Sequence, residues 1–481
     1  MAFPKFAGIT GRIKRFTEKY RQHLIAWGIT ISVVLAVSGV LLYRQWLYGT
    51  PHFAYSLGRT ADQALPTAQE PAAGVDLATT TADDFPEFLG SGRHAAVDRI
   101  DLDPDWKGNP PRQLWRKPIG GGFSAFSVVN GFAVTMEQRG EEEQVTCYAS
   151  ASGQHHWTAS WNERFTTNGV GPRSTPTISG GRIYALGAWG HLVCLDGNTG
   201  EVIWKRELLW EQDMHWSDEN RSVRFGRSNS PLVTGNLVIV PGGGISGNRA
   251  SLLAFDAATG DLRWRGGDRQ ISYSSPVMAE LLGEKQILSV NEDTVSGHSP
   301  ETGVELWSYP WPGNSRTDAN VSQPVRLSSS RILLSAGYRR GAAVIELERR
   351  AAGEAIKVRC VWKHSSVLNT KFTNVVIWKD HAYGLSEGVL ECVNLGTGER
   401  CWKEGRYGNG QILRVRGLLL VLGEEGELVL VRLDPEIPNA VLGRLQALSD
   451  TTWNNMALYG RQLLVRNTTE SACYELATVH E

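Results

Sequence analysis

The chain has 481 residues, with 49 basic and 50 acidic side chains and a formal net charge of −1. That balance gives no electrostatic basis for a polyanionic partner and argues against nucleic-acid binding. Fifty-two Gly and 17 Trp suit a turn-rich chain with large packing anchors better than a helical bundle, and six cysteines, none adjacent and none in a CxxC pair, are too few and too scattered for a disulfide scaffold.

Residues 1–23 form a basic segment carrying Lys5, Arg12, Lys14, Arg15, Lys19 and Arg21. Residues 24–43, LIAWGITISVVLAVSGVLLY, contain no charge, and as a helix they would cover about 30 Å, the thickness of a bilayer core. Only Arg44 follows closely. The positive-inside rule then predicts a single-pass signal-anchor of the cytoplasmic membrane, with the N-terminus inside and the rest in the periplasm or outside. A cleaved signal peptide is the rival, with Ala36-Val37-Ser38 as a small-residue cleavage site. The apolar run continues through Leu42 and favours an uncleaved anchor, and no Cys near its end signals a lipid anchor. Residues 44–83 read as a flexible linker, since their Ala, Thr, Pro and acids bury too little to offset ordering entropy. Order is expected to return at DFPEFLGSGR (Asp84–Arg93), where Phe85, Phe88 and Leu89 dock a lead-in segment, 84–111, onto the domain C-terminal to it.

The phrase CLDGNTGEVIW, ending at Trp204, then recurs. CYASASGQHHW ends at Trp157, AFDAATGDLRW at Trp264, GHSPETGVELW at Trp307 and CVNLGTGERCW at Trp402. In each the Gly stands four residues before the Trp. A stretched version ends at Trp362, and in AVLGRL the Trp is replaced by Leu445. Successive marks lie about 40–60 residues apart, the length of one four-stranded blade with variable loops. Each unit opens on a small-polar or Pro-containing run: FSAFSVV, RSTPTI, SNSPLV, YSSPVM, VSQPVRL, FTNVVIW, NGQILRV and WNNMALY. Short alternating runs of this kind are strands. The last unit stops before its fourth strand, and RQLWRKP with Trp115 supplies the missing one. These features predict an all-β, eight-bladed propeller of four-stranded antiparallel blades over 112–477, closed by its N-terminal strand and preceded by one transmembrane helix. In the repeated phrase, Asp196 and Thr199 shape the turn, Gly200 takes positive φ, and Trp204 packs blade on blade. The tryptophans Trp115, Trp157, Trp204, Trp264, Trp307, Trp362 and Trp402 are therefore structural.

The D-x-x-T-G-x-x-x-W hairpins resemble the PQQ-type propeller repeat, over about residues 110–477, and Asp84-Phe85-Pro86-Glu87-Phe88 resembles the lead-in of such proteins. The resemblance implies the fold and two kinds of function. One is a BamB-like assembly scaffold binding envelope proteins or peptides as a monomeric propeller, with no cofactor. The other is a quinoprotein alcohol or sugar dehydrogenase holding pyrroloquinoline quinone (PQQ) and Ca²⁺. Against the dehydrogenase pattern, the chain has no adjacent cysteine pair and no haem-attachment CxxCH, and no spacing marks a metal cage. Glu137 and Asn291-Glu292-Asp293 offer acids, with Glu137 as the general base of that reading.

Loops before the opening strands carry Arg173, Arg227, Arg269, Arg316, Lys371 and Arg406, with Asn229, Tyr273, Ser322, Asn374, Asn409 and Asn454 nearby. Converging on one channel mouth, they would bind a carboxylate-bearing ligand or an acidic peptide through charge-assisted bonds. Cys147, Cys194, Cys392 and Cys473 share one strand position in different blades and read as buried free thiols. TMEQRGEEEQ (Thr135–Gln144) reads as a solvated hairpin.

Overall fold

The computed structural model of the chain describes residues 74–479, apart from 216–222, 245–246, 316–317 and 352. The expected membrane helix, 24–43, lies outside the described residues, and among the described residues no helix is long and apolar enough to cross a membrane.

Alternating short strands fold into eight antiparallel sheets, each joined in sequence order from an innermost to an outermost strand. Blade 1 begins at Ser127–Val129 and ends at His155–Asn162; blade 7 begins at Gln411–Val415 and ends at Ala440–Gln446. Blade 8 supplies its own first three strands, Ala457–Tyr459, Gln462–Arg466 and Glu470–Glu475, and its outermost strand is Arg112–Pro118 from the beginning of the ring. This closure removes the exposed edges that an open ring would present. Arg116 clasps Glu470 across it at 2.7 Å.

The repeated phrase has a geometric role. Each outermost strand carries a bulge just before its tryptophan, as between Val202 and Trp204 or Arg400 and Trp402. The extra residue turns the indole toward the next blade. There the ring lies against the glycine of that blade's Thr-Gly turn. A Cβ on Gly200 would stand 2.6 Å from the Trp157 ring, and one on Gly260 would stand 2.6 Å from the Trp204 ring. The indole N–H also donates to a turn carbonyl of the next blade: Trp157 to Gly197 at 3.1 Å, Trp204 to Ala257 at 3.2 Å, Trp362 to Leu395 at 2.8 Å. Glycine is thus required twice, for φ near +75° and for the space the indole occupies. Trp307 differs. The next blade has no Thr-Gly turn in its ERRAAGEAIK connection, and the Trp307 N–H bonds Gln286 of its own blade instead. Blade 7 has none either, and the Trp402 N–H donates to the Asp434 carbonyl at 2.9 Å.

Blade 7 corrects one expectation. The position opposite Leu430, where the other blades place tryptophan, is Gly443 and not Leu445. Trp106 of the lead-in segment lies over it, so close that a Cβ on Gly443 would stand 2.4 Å away. The missing indole is supplied from outside the repeat.

The lead-in also plugs the ring at the end where the innermost strands leave for their neighbours. Phe85 pairs with Val128 of blade 1, and Ala96–Val97 adds a fifth, parallel strand to blade 7. Between them the Arg93 guanidinium, 3% exposed, enters the axis. It donates to the carbonyls of Ser230 (2.9 Å), Pro276 (3.0 Å) and Pro231, and to Glu87 at 2.7 Å. Packing begins before Asp84: Val75 and Leu77, in the stretch assigned to the linker, are buried in the core shared by blades 1 and 2.

Removing a partner from a buried, hydrogen-bonded charge costs about 3–5 kcal/mol. R93A is therefore expected to lower urea-unfolding stability by about that amount and to expose 84–106 to limited proteolysis; unchanged stability with a protease-resistant lead-in would contradict the plug.

Candidate functional site

With one end of the axis occupied by the lead-in, the other end is formed by the loops that enter the innermost strands. The small polar residues opening those strands form a belt around the axis. The Ala125 N–H donates to Thr175 Oγ1 (3.0 Å), Thr175 N–H to Ser230 Oγ (2.9 Å), Ser230 N–H to Ser275 Oγ (2.8 Å) and Gln323 N–H to Asn374 Oδ1 (2.8 Å). Asn229 donates to the carbonyls of Ser272 and Ser274, and Asn454 repeats this with Gly122 and Ser124, joining blade 8 to blade 1. Ser322 bonds Thr370 and Thr373 of the next blade. The hydrogen bonds of Asn229, Ser322, Asn374 and Asn454 stitch neighbouring blades. Satisfying buried backbone groups explains why each opening strand is small and polar.

The basic residues do not form one ring. Arg227 is fully buried, and its guanidinium donates to the carbonyls of Pro241 and Gly242 at 2.7 and 2.8 Å. Arg406 ends the outermost strand of blade 6, exposed and away from the innermost strands. Arg269 is ion-paired with Asp268 (3.2 Å) and lies 3.7 Å from Asp293. Lys371 meets Glu387 at 3.1 Å and lies over the Tyr338 ring. Arg316 lies outside the described residues.

Arg173 lies among aromatic rings at the mouth. Its guanidinium lies 4.2 Å from the centre of the Phe165 ring and 5.2 Å from that of Phe123, and it donates to the carbonyls of Thr167 and Gly169 at 2.9 Å each. Burial lowers its pKa to about 9. Beside it runs an aromatic arc. Phe123 of blade 1 stacks on Trp453 of blade 8 at 5.7 Å, and Trp453 meets Phe372 of blade 6 at 5.8 Å. All three are half-buried. Blade 7 sits between them: Gln411 donates to the carbonyls of Phe372 and Trp453, while Glu424 accepts from the Trp453 N–H (2.7 Å) and from Asn409. Tyr273 continues the aromatic lining against Phe225 at 5.6 Å. The sequence signal for the arc is the residue that begins the runs FSAFSVV, FTNVVIW and WNNMALY. It goes unnoticed when only polar and basic residues are sought.

The acids of the blade 1 hairpin are not solvated throughout. Glu137 is fully buried, taking Arg139 at 2.8 Å, the Tyr148 hydroxyl at 2.5 Å and the Gly120 N–H at 2.7 Å. Burial alone would raise its pKa, but Arg139 and Arg466 with these hydrogen bonds hold it below the usual carboxylate range. Both carboxylate oxygens are thus taken up by partners within the blade and its entering loop. Glu143 is buried too, accepting from Ala188 N–H and the Trp161 indole at 3.0 Å, and burial raises its pKa. Cys147, Cys194, Cys392 and Cys473 are buried free thiols. Among the described residues no cluster of three His, Cys, Asp or Glu is placed to hold a metal ion.

Glu292, half-buried on the same end of blade 4, is held at about 7, by burial first and then by the nearby Asp318 and Asp293 carboxylates, against Arg249. A carboxyl raised in the folded state favours folding below its unfolded pKa, about 4.3, and that advantage disappears as pH rises through 7. E292Q is thus expected to gain thermal stability over the wild type as pH goes from about 4 to 8. Parallel pH profiles for the two proteins would contradict this.

The family described as outer membrane protein assembly factor BamB matches residues 141–431. Among solved structures, BamB from Moraxella catarrhalis aligns with a TM-score of 0.54 at 15% identity, covering 76% of this chain and 99% of that one. The computationally designed Ika8 protein aligns at 0.52 and 12% identity, with the same 76% and 99% coverage. Both likenesses establish the fold. Among characterised proteins, the quinohemoprotein alcohol dehydrogenase ADH IIB of Pseudomonas putida is 29% identical over 106 residues, which are 21% of this chain and 14% of that protein.

Proposed function

The chain belongs to the family of the outer membrane protein assembly factor BamB, and from that membership we propose that it is a scaffold that binds envelope proteins or peptides. In this reading it acts as a monomer, anchored through residues 24–43 on the outer side of the cytoplasmic membrane. The observation that carries the proposal is the mouth opposite the plug: Phe123, Phe372 and Trp453, half-exposed and drawn from three blades, beside Arg173. Aromatic rings held rigidly by hydrogen bonds, next to a cation, are the composition of protein-binding hot spots. Glu424 and Gln411 fix the arc from behind without covering it.

The second reading, a quinone-dependent dehydrogenase, is favoured by the 106-residue match. The residues named for it do not fit that group. Glu137 is sealed in its ion pair, Arg227 is spent on two carbonyls, and Arg406 stands on the outer strand. Among the described residues, Arg173 is already bonded to its own loop, and Arg269 and Lys371 are ion-paired with acids, which makes a poor receptor for a tricarboxylate.

Two measurements separate the readings. In pull-downs from solubilised envelope, W453A and F372A are expected to lose about tenfold in partner recovery, the effect of a hot-spot truncation, while R406A recovers as much as the wild type. Equal recovery by all variants would remove the mouth as the binding face. Titration with PQQ and Ca²⁺ is expected to give no quinone absorbance on the protein and no dye reduction with alcohols or sugars. Saturable binding with turnover would establish the dehydrogenase reading instead.

A further inference from the structure

The bulge that aims each tryptophan places a second side chain opposite the same inner residue. In blade 6 that inner residue is Cys392, paired with Trp402, and the bulged residue is Cys401. In a bulge two residues oppose one partner, so Cys401 stands with Trp402 across the ladder from Cys392. The combination belongs to this blade. Where other blades place a cysteine opposite their tryptophan, the bulged partner is not a thiol: Cys147 meets His156, Cys194 meets Ile203, and Cys473 meets Leu114. Cys392 is fully buried against the core, whereas Cys401 is exposed to solvent. One thiol is therefore reachable from outside and the other waits behind it, the arrangement of an attacking and a resolving cysteine.

We propose that Cys392 and Cys401 are a modification site, a redox pair that closes to a cross-strand disulfide when a disulfide oxidant reaches Cys401. The steps balance with a small-molecule disulfide such as oxidised glutathione. The Cys401 thiolate attacks one sulfur of the oxidant and expels the other as a thiolate. Cys392 then loses its proton and attacks the Cys401 sulfur, forming the intramolecular bond and expelling the second thiolate. The protein gives up two electrons and two protons, and the oxidant becomes two thiols. Burial raises the Cys392 thiol to about 12, with its neighbours Tyr383 and Asp434 beside it, so the second step is the slow one. The closed bond joins the two strands at the point where Trp402 reaches toward blade 7 and donates to the Asp434 carbonyl at 2.9 Å. This inference stands on the hairpin geometry and is independent of the proposed binding function.

The test uses the full chain in mild detergent. Reduced protein in its native state is expected to label with maleimide at its two exposed cysteines, Cys360 and Cys401. After oxidised glutathione Cys401 is expected to lose its label, and in C360S, where no second exposed thiol can take an adduct, the denatured thiol count falls from five to three. Tryptic cleavage after Arg400 separates the two cysteines, so a linked Cys392–Cys401 peptide appears without reductant and dissolves with it. C392A should stop at a glutathione adduct on Cys401, and C360S should leave the linked peptide unchanged. A stable adduct on Cys401 in the wild type with Cys392 still reduced, or unchanged labelling of Cys401, would overturn the proposal. Both of those readouts are on the wild type, so they decide the matter even where C392A fails to fold.

Discussion

Everything in this ring depends on one contact, an indole resting on a glycine of the next blade. The outer strand is bulged to deliver the tryptophan, the turn ahead of it bends through positive φ, and the glycine leaves room for the ring. A tryptophan buries on the order of 150–250 Å², so at about 25 cal/mol/Å² each contact contributes several kcal/mol as an upper bound. Because the last blade borrows its outer strand from the chain's beginning, the blades form a closed circuit, with this contact at five junctions: Trp115 on Gly153, Trp157 on Gly200, Trp204 on Gly260, Trp264 on Gly303 and Trp362 on Gly398. Where the repeat fails, other parts of the chain compensate. Gly443 takes the tryptophan position in blade 7, and Trp106 from the lead-in covers it.

The same circuit explains what the centre of the ring is for. The opening strands are polar because their backbone groups must be satisfied by the neighbouring blade, and Asn229, Ser322, Asn374 and Asn454 do this work. Arg93 then fills the axis from one end with hydrogen bonds to blades 3 and 4. Polar convergence on the axis, which in the sequence resembles a ligand site, is therefore mostly architecture. In the proposed reading it is the aromatic arc of Phe123, Phe372 and Trp453 with Arg173 that meets a partner.

The sequence carried the fold well because a blade is local. Strand, turn glycine and tryptophan lie within about a dozen residues, and their period exposes them even in a single chain. The ring closure by Arg112–Pro118 was legible for the same reason, as a count that came out one strand short. The site was legible only in part. Asn229 and Asn454 donate to carbonyls of the next blade, and nothing in the sequence tells whether an amide faces a ligand or a neighbouring carbonyl. Arg227 and Arg406 share a sequence frame with Arg173, yet one is buried against carbonyls and the other ends an outermost strand. Glu137 stood in an acidic run that looked solvated, and its partner Arg139, two residues on, was the overlooked signal. Trp106 carried no signal at all, since its role depends on a glycine more than 300 residues away in the chain.

The indole-on-glycine contact is best measured by a double-mutant cycle between Trp204 and Gly260, which sit on adjacent blades. G260A in the wild type combines backbone strain at φ +74° with a methyl 2.6 Å from the Trp204 ring. In the W204A background the ring is gone, and only the strain, about 1 kcal/mol, remains. Urea unfolding of the four proteins should therefore give a coupling energy above about 1 kcal/mol, with G260A costing less once Trp204 is removed. Strictly additive costs would contradict the claim that this contact holds one blade to the next.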